Sequence, residues 1–181
     1  MATLLILAGV LGGTLAVDGG EDLLATMGVR AAPAKTEAPD FALMNLEGKK
    51  VGLKEYRGKL ILLNFWATWC VPCQWEMGKM EALYQAYKDK GFVVLAVSLD
   101  ADGERSVKRF AAERKLTYPI LLDTKLEVAR AYRIQGPPTT FLIGPRGEMI
   151  GIALGPREWG SEQAKSLIQQ LLVELKGKRQ G

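Results

Sequence analysis

The spacing of apolar and polar residues changes from one segment of this chain to the next, and these spacings predict a series of strands and helices. A near-continuous apolar run over residues 60–66, broken only by Asn64, is typical of a strand buried on both faces. A second apolar run covers residues 92–98, and apolar side chains at helical spacing up to about Lys90 lie between the two runs. Strand, helix and strand in this order predict a parallel pair of strands with a right-handed crossover.

Shorter patterns extend this core at its two ends. Two short strands flank a turn at Gly48, and a Gly-Pro-Arg-Gly segment separates two later strands, so that two hairpins are predicted. The remaining predicted elements are a helix over 104–115, a strand over 118–122, a small helix over 126–132, strands over 139–143 and 148–153, and a last helix over 161–175.

Residues 1–17 are apolar or small and carry no charge, which suits a secretory signal or a membrane anchor over residues 2–17. The run is shorter than the ~20 residues that span a bilayer comfortably, and a buried amino-terminal helix is the alternative. Prolines, alanines and mixed charges favour a linker over residues 18–39. A folded domain is then expected over 40–176, followed by a basic tail over 177–181.

The chain contains no histidine, which excludes several kinds of chemistry. Catalysis by Cys–His or Ser–His pairs is ruled out, together with most zinc and non-haem iron sites built from protein ligands. Covalent haem attachment needs C-x-x-C-H, and Gln74 stands where that histidine would be. The net charge of +4 is spread along the chain, so no nucleic-acid partner is expected.

Cys70 and Cys73 are the only cysteines, and they stand at C-x-x-C spacing directly after the first buried strand. A helix amino terminus at this point favours the Cys70 thiolate, so Cys70 is expected to attack, and Cys73, one turn further in, to resolve the mixed disulfide. Pro72 suits the first helical turn, and Val71 adds no charge. The exchange itself needs no cofactor or metal. A permanent disulfide, or two cysteines that merely pack in the core, are the structural alternatives.

Several motifs in order resemble a known family: Ala38-Pro-Asp-Phe41, Gly58-Lys59, Leu63-Asn-Phe-Trp-Ala-Thr-Trp-Cys-Val-Pro-Cys73 and Pro138-Thr-Thr-Phe-Leu-Ile143. From about Ala38 onward the chain resembles thioredoxin-fold proteins of the TlpA/ResA type. The resemblance implies an α/β fold with a central mixed β-sheet flanked by helices and an N-terminal β-hairpin extension. It also implies an extracytoplasmic thiol-disulfide oxidoreductase, exported or anchored. Such a protein reduces cysteine-containing protein substrates, such as apocytochrome c or copper-site proteins, and takes electrons from a membrane or thioredoxin-like donor.

The resemblance assigns roles to three further positions. The general thioredoxin pattern has a buried aspartate where this chain has Asn64, and in TlpA/ResA-like proteins an acid at the Glu76 position relays the proton of the buried cysteine. An exposed glutamate in the first helical turn is the alternative for Glu76. Pro138 matches the cis proline that thioredoxin-like folds place opposite the cysteines. Pro137 before it has no N–H, so one main-chain hydrogen bond to an extended substrate is lost, which leaves room for a few dedicated partners. A rigid loop without a recognition role is the alternative for the two prolines.

The tryptophan residues have different expected positions. Trp69 is expected to be exposed and to contact partners together with Val71, Pro72, Pro137 and Pro138, and Trp66 to pack in the core. Trp75 is either an added contact surface or a core residue, and Arg157 and Trp159 receive no role.

A peroxiredoxin-like peroxidase is an alternative function, but it needs Thr or Ser three residues before its cysteine, where Ala67 stands. A copper-binding chaperone module could hold Cu(I) with the two thiolates alone.

Overall fold

The structure, a computed structural model, describes residues 19–177, and this part of the chain forms five α-helices and eight β-strands. The helices are α1 (Gly19–Thr26), α2 (Val71–Tyr87), α3 (Gly103–Glu113), α4 (Glu127–Ala131) and α5 (Glu162–Gly177). The strands are β1 (Arg30–Ala31), β2 (Ala42–Asn45), β3 (Lys50–Gly52), β4 (Leu60–Trp66), β5 (Phe92–Ser98), β6 (Ile120–Leu122), β7 (Thr139–Ile143) and β8 (Met149–Leu154).

All eight strands belong to one mixed sheet with the order β1-β8-β7-β4-β5-β6-β2-β3. The β4, β5 and β6 strands are parallel, and the other neighbours pair antiparallel. The predicted parallel pair with its helical crossover, the mixed sheet and the β2–β3 hairpin extension are therefore confirmed. The thioredoxin-like fold class implied by the sequence is confirmed with them.

Strand β4 is buried along its whole length because helices cover the two faces of the sheet. Its even-numbered apolar residues, such as Leu62, pack in a core with α2 and α5, whereas odd-numbered residues, such as Leu63, pack in a second core with α4. Asn64 has the same parity as Leu62. The one polar side chain of β4 therefore faces the helix that follows the cysteines.

The predicted helices and strands from residue 40 onward are present, with small differences at their ends. The helix expected to reach Lys90 changes at Lys88 into a 3-10 turn and stops at Gly91, which has a left-handed φ of 94°. The strand expected over 118–122 begins only at Ile120. Such end residues depend on local hydrogen bonds rather than on the apolar period.

The structure differs from the linker that the sequence suggests over residues 18–39. Helix α1 packs against α5, and Leu24, Met27 and Val29 are buried in the same core as the two cysteines. Strand β1 pairs with β8, and the chain after it continues along β8, with Ala32 N–H donating to the Ile150 carbonyl. Residues 19–38 are therefore part of the folded body.

This difference has a simple physical cause. The prolines and alanines after Arg30 cannot form a core of their own, but an existing sheet edge needs only backbone partners. Val29 also packs closely on Gly151 of β8, since a Cβ added at Gly151 would lie 2.7 Å from Val29 Cγ1. An edge segment of this kind gains its stability from β8, which lies more than a hundred residues away in the sequence.

The expected signal or anchor over residues 1–17 lies outside the described residues, as does most of the expected basic tail. Within residues 19–177, the structure contains no helix whose length and apolar character would let it cross a membrane.

Candidate active site

Cys70 and Cys73 are joined by a disulfide at the amino terminus of α2. Cys70 is the N-cap residue, and the backbone N–H of Cys73 donates to its Sγ at 3.3 Å. The sulfur that is predicted to attack therefore lies at the positive end of the helix, next to a backbone donor that favours a thiolate. Cys70 is 5% exposed and Cys73 is 0% exposed, so Cys70 is the sulfur nearer to solvent.

The segment between β4 and the disulfide is fixed by polar contacts on two sides. Asp100, which is almost fully buried, accepts hydrogen bonds from the backbone N–H and hydroxyl of Thr68. The Ser98 hydroxyl donates to the same carboxylate at 2.7 Å. From the other side, the Gln74 amide donates to the Thr68 carbonyl at 2.7 Å. These bonds hold the backbone that places Cys70 at the start of the helix.

Glu76 is fully buried in the first turns of α2, three residues after Cys73. Its Oε1 accepts a hydrogen bond from the Asn64 amide at 2.9 Å, and its Oε2 accepts one from the backbone N–H of Arg157 at 2.9 Å. The Asn64 amide also donates to the Thr140 hydroxyl at 3.0 Å. We call Asn64, Glu76, Thr140 and the Arg157 N–H the inner network.

Burial raises the pKa of Glu76 from 4.5 to about 7. The Arg157 N–H, the Asn64 amide, the Trp159 indole and the Arg157 charge oppose this shift, so the loss of water is the dominant effect. The indole N–H of Trp159 contributes although it makes no hydrogen bond within ordinary geometric limits. A carboxyl group with a pKa near neutrality can accept and return a proton under physiological conditions. The exposed first-turn glutamate considered as an alternative does not describe this residue.

The other side of the disulfide is apolar and open to solvent. Trp69, Val71 and Trp75 are 65%, 73% and 51% exposed, and Pro72 is exposed between them. We call these four residues the outer surface. Trp75 is therefore not a core residue, and the ammonium of Lys79 lies 3.3 Å from its ring centre. Trp66 is fully buried, in line with its expected packing role.

Pro137 and Pro138 are joined by a cis peptide bond directly before β7. Pro138 is buried and Pro137 is half-buried. The first residues of β7 pair with the end of β4, with Thr140 opposite Asn64. This register brings the proline pair and the inner network to the same end of the sheet.

Sequence reasoning missed three members of this site. Thr140 contacts Asn64, the Arg157 backbone contacts Glu76, and Trp159 is fully buried beside them. One signal was available for Thr140: Asn64 is a polar residue within a fully buried strand and therefore needs hydrogen-bonding partners. No comparable signal links Arg157, because it acts through its backbone.

Two observations concern the alternative functions. Ala67, at the position where a peroxidase would need a hydroxyl group, is fully buried beside the core. Among residues 19–177, no group of three or more His, Cys, Asp or Glu side chains is arranged to hold a metal ion.

The fold and the helix-capping disulfide together define a thioredoxin-fold thiol-disulfide oxidoreductase. Comparison with known proteins gives the particular family. Residues 34–152 match the AhpC/TSA family, and this chain belongs to it.

Curated relatives narrow the assignment. The chain is 38% identical over 139 residues to the thiol-disulfide oxidoreductase ResA of Bacillus thuringiensis subsp. konkukian (strain 97-27), covering 77% of this chain and 76% of the relative. It is 44% identical over 125 residues to ResA of Geobacillus kaustophilus (strain HTA426), covering 69% and 71%. Among solved structures, a Chlorobium tepidum protein assigned as the thiol:disulfide interchange protein DsbE superposes with a TM-score of 0.69 at 35% identity, covering 75% of this chain and 95% of that one. The resemblance to ResA-type proteins is confirmed.

Proposed function

We propose that this protein reduces disulfides in cysteine-containing partner proteins outside the cytoplasm, using Cys70 as nucleophile, Cys73 as resolving thiol and Glu76 as proton acceptor. The observation that carries the proposal is the buried Glu76 carboxyl group, with a pKa of about 7, one helical turn beyond Cys73. The reductive direction, and apocytochrome c or copper-site proteins as partners, are what the resemblance to TlpA/ResA-type proteins implies. Export or anchoring through residues 2–17 supplies the location.

The first step is an attack by the Cys70 thiolate on one sulfur of the partner disulfide. A mixed disulfide forms between Cys70 and that sulfur, and the other partner sulfur leaves as a thiolate. The helix amino terminus and the Cys73 N–H stabilise the attacking thiolate. The outer surface supplies apolar contacts for the partner around the reacting bond.

The second step resolves the mixed disulfide from inside. The Glu76 carboxylate takes the proton of the Cys73 thiol, and the Cys73 thiolate attacks Cys70 Sγ. The Cys70–Cys73 disulfide forms and the second partner sulfur leaves, so that the partner gains two electrons and this protein loses two. A membrane or thioredoxin-like dithiol donor then reduces the pair again, and Glu76 returns its proton.

Burial explains why an internal proton acceptor is needed. Cys73 is fully buried, so neither water nor the exposed residues of the outer surface can remove its proton directly. An apolar environment also opposes thiolate formation. Asn64 cannot accept a proton, which leaves Glu76 as the ionisable carboxyl group of the inner network.

Substrate range follows from the proline pair. Pro137 cannot donate a main-chain hydrogen bond, so an extended substrate segment at this point pairs with one bond fewer. We expect a few dedicated partners that are recognised through the outer surface rather than a broad range of unfolded chains.

The direction of exchange is tested by the reduction potential of the Cys70–Cys73 pair. We expect a value near that of a reducing thioredoxin, about −270 mV, from equilibration of the full chain with glutathione or dithiothreitol. A value near that of a strong oxidant, about −120 mV, would overturn the reductive assignment.

The role of Glu76 is tested separately by stopped-flow reduction of a disulfide-bonded protein from pH 5 to pH 9. Glu76→Gln should slow the resolving step and remove the inflection near pH 7, while the attack by Cys70 is preserved. An unchanged pH profile with an intact fold would exclude the relay.

A further inference from the structure

Arg157 connects the carboxyl group of Glu76 to the amino-terminal end of the described chain. Its backbone N–H donates to Glu76 Oε2 at 2.9 Å. Its guanidinium reaches the other way, with Nε donating to the Met27 carbonyl at 3.0 Å and Nη2 to the Gly28 carbonyl at 2.8 Å. One residue therefore binds the proton-accepting side chain and the end of α1 at the same time.

The end of α1 is built to present these two carbonyl groups. Val29 N–H bonds to the Leu24 carbonyl and Gly28 N–H to the Ala25 carbonyl, and Gly28 has a left-handed φ of 61°. This pattern is a Schellman cap, which turns the chain out of the helix. The carbonyls of Met27 and Gly28 then point away from the helical hydrogen bonds, and a cation at a helix carboxyl terminus is favourable.

The guanidinium also holds its own loop in shape. Nη1 donates to the carbonyls of Pro156 and Gly155 at 2.9 Å and 3.3 Å. All four guanidinium hydrogen bonds are thus with backbone carbonyls, two in the turn after α1 and two on the loop between β8 and α5. The planar fork of arginine suits such a multiple contact, and a lysine ammonium cannot reproduce it.

We propose that Arg157 is a positioning residue for Glu76, and that α1 with the turn at Gly28 is part of the active site because it holds the loop that closes over this carboxyl group. The inference rests on the proposed role of Glu76 as proton acceptor. It assigns a function to the segment after the expected anchor, which the sequence suggests to be a linker.

The pKa of Glu76 should depend on the contact between Arg157 and the turn after α1. Loss of water is the largest influence on the pKa of Glu76, so a loop released from α1 should admit water and lower this pKa toward 4.5. The charged or titratable groups that interact with Glu76 are the Arg157 guanidinium and the buried Tyr118 phenol, and Cys73 precedes Glu76 by three residues on the same helix. Asn64 and Thr140 on the neighbouring strands are neutral.

The decisive variant is Arg157→Lys, because it keeps the positive charge and removes the fork. Carbon-detected NMR of the full chain, with the Glu76 signal assigned by its loss in Glu76→Gln, should show the pKa of Glu76 falling by roughly one unit. The inflection of the exchange rate with pH should move by the same amount.

A second variant approaches the same contact from α1. An added Cβ at Gly28 would lie 3.0 Å from Arg157 Nε, so Gly28→Ala should push the guanidinium away and shift the pKa of Glu76 in the same direction. Arg109→Lys, on the exposed side of α3, is the matched control and should leave the titration unchanged.

Two results separate this inference from the proposed function. If Glu76 titrates unchanged in folded Arg157→Lys and Gly28→Ala, Arg157 only fastens α1 and the inference is overturned. If the exchange rate of Glu76→Gln depends on pH in the same way as that of the wild type, Glu76 is not the proton acceptor and the proposed function fails. The NMR titrations of Arg157→Lys and Gly28→Ala then still decide whether α1 controls the burial of Glu76.

Discussion

The two sulfurs of one disulfide lie in environments of opposite character. Cys70 borders the outer surface, where three of the four side chains are large, apolar and more than half exposed. Cys73 is on the same helix as Glu76 of the inner network, three residues before it, and each polar side chain of this network is buried and makes at least one hydrogen bond. The exposed outer surface can contact another protein. The buried inner network cannot, so its side chains can only transfer a proton and stabilise the fold. In the proposed mechanism, recognition of the partner and proton transfer therefore fall to separate residues.

The difference also bears on stability. Exposed tryptophans change the free energy of unfolding little when they are replaced, since their surface is already in water. A buried carboxyl group costs free energy whenever it is ionised, because it has lost its hydration. Variants on the two sides should therefore separate cleanly in binding and in pH-dependent stability.

The largest effect is expected from removing each sulfur in turn. Cys73→Ser keeps Cys70, the sulfur nearer to solvent, but removes the resolving thiol, so a disulfide-containing peptide should be trapped covalently on Cys70 and turnover should cease. Cys70→Ser also abolishes turnover but should trap almost nothing, because Cys73 is fully buried. Intact-protein mass spectrometry after mixing measures the adduct. Equal trapping by the two variants would contradict the assignment of outer and inner sulfurs.

A large effect is also expected from Glu76→Gln on the pH dependence of stability. The pKa of Glu76 is raised to about 7 in the folded state, against 4.5 when it is solvated. The folded chain therefore binds more protons than the unfolded chain between these values, and stability falls as the pH rises through this window. A shift of this size corresponds to about 3 kcal/mol.

Urea titrations of the oxidised protein at pH 4 and pH 8 measure this difference. The wild type should lose about 3 kcal/mol more than Glu76→Gln between the two pH values. Glu113→Gln, on the exposed side of α3, serves as control and should follow the wild type. A wild type and Glu76→Gln that respond equally to pH would mean that Glu76 is hydrated.

A smaller effect is expected from Asn64→Leu, which keeps the size of the side chain but removes its amide. Glu76 and Thr140 each lose a donor, and the cost should be about 1–3 kcal/mol. The cost should be larger above pH 7, because the Asn64 amide lowers the pKa of Glu76 by stabilising the carboxylate. Urea titrations across pH measure both effects. Thr140→Val is the matched variant and should leave the titration of Glu76 nearly unchanged.

The sequence was sufficient for the elements that depend on local pattern. The period of apolar residues predicted β4, β5 and α2, and the spacing of Cys70 and Cys73 predicted their place at the helix start. Glu76 was found through a resemblance to a family. The sequence leaves the burial of Glu76 open, because an exposed glutamate is the alternative and the sequence does not show what covers this side chain.

What could not be predicted depends on contacts between distant parts of the chain. Helix α1 is short, and its burial depends on α5, more than 130 residues later. Arg157 binds Glu76 through a backbone group that every non-proline residue has, so its identity carries no signal for that bond. Its guanidinium contacts are likewise with carbonyl groups. Such contacts appear only when the fold brings the segments together.

The smallest effect is expected from a substitution on the outer surface. Trp75→Ala removes a half-exposed ring that contacts the Lys79 ammonium, so the free energy of unfolding should change by less than about 0.5 kcal/mol. The KM for a disulfide-bonded protein partner should rise by roughly fivefold, or about 1 kcal/mol, whereas reaction with a small disulfide should be unaffected. Because Glu76 lies on the other side of the disulfide, the pH profile should not move. A shifted profile in Trp75→Ala would show that the two environments are coupled through α2.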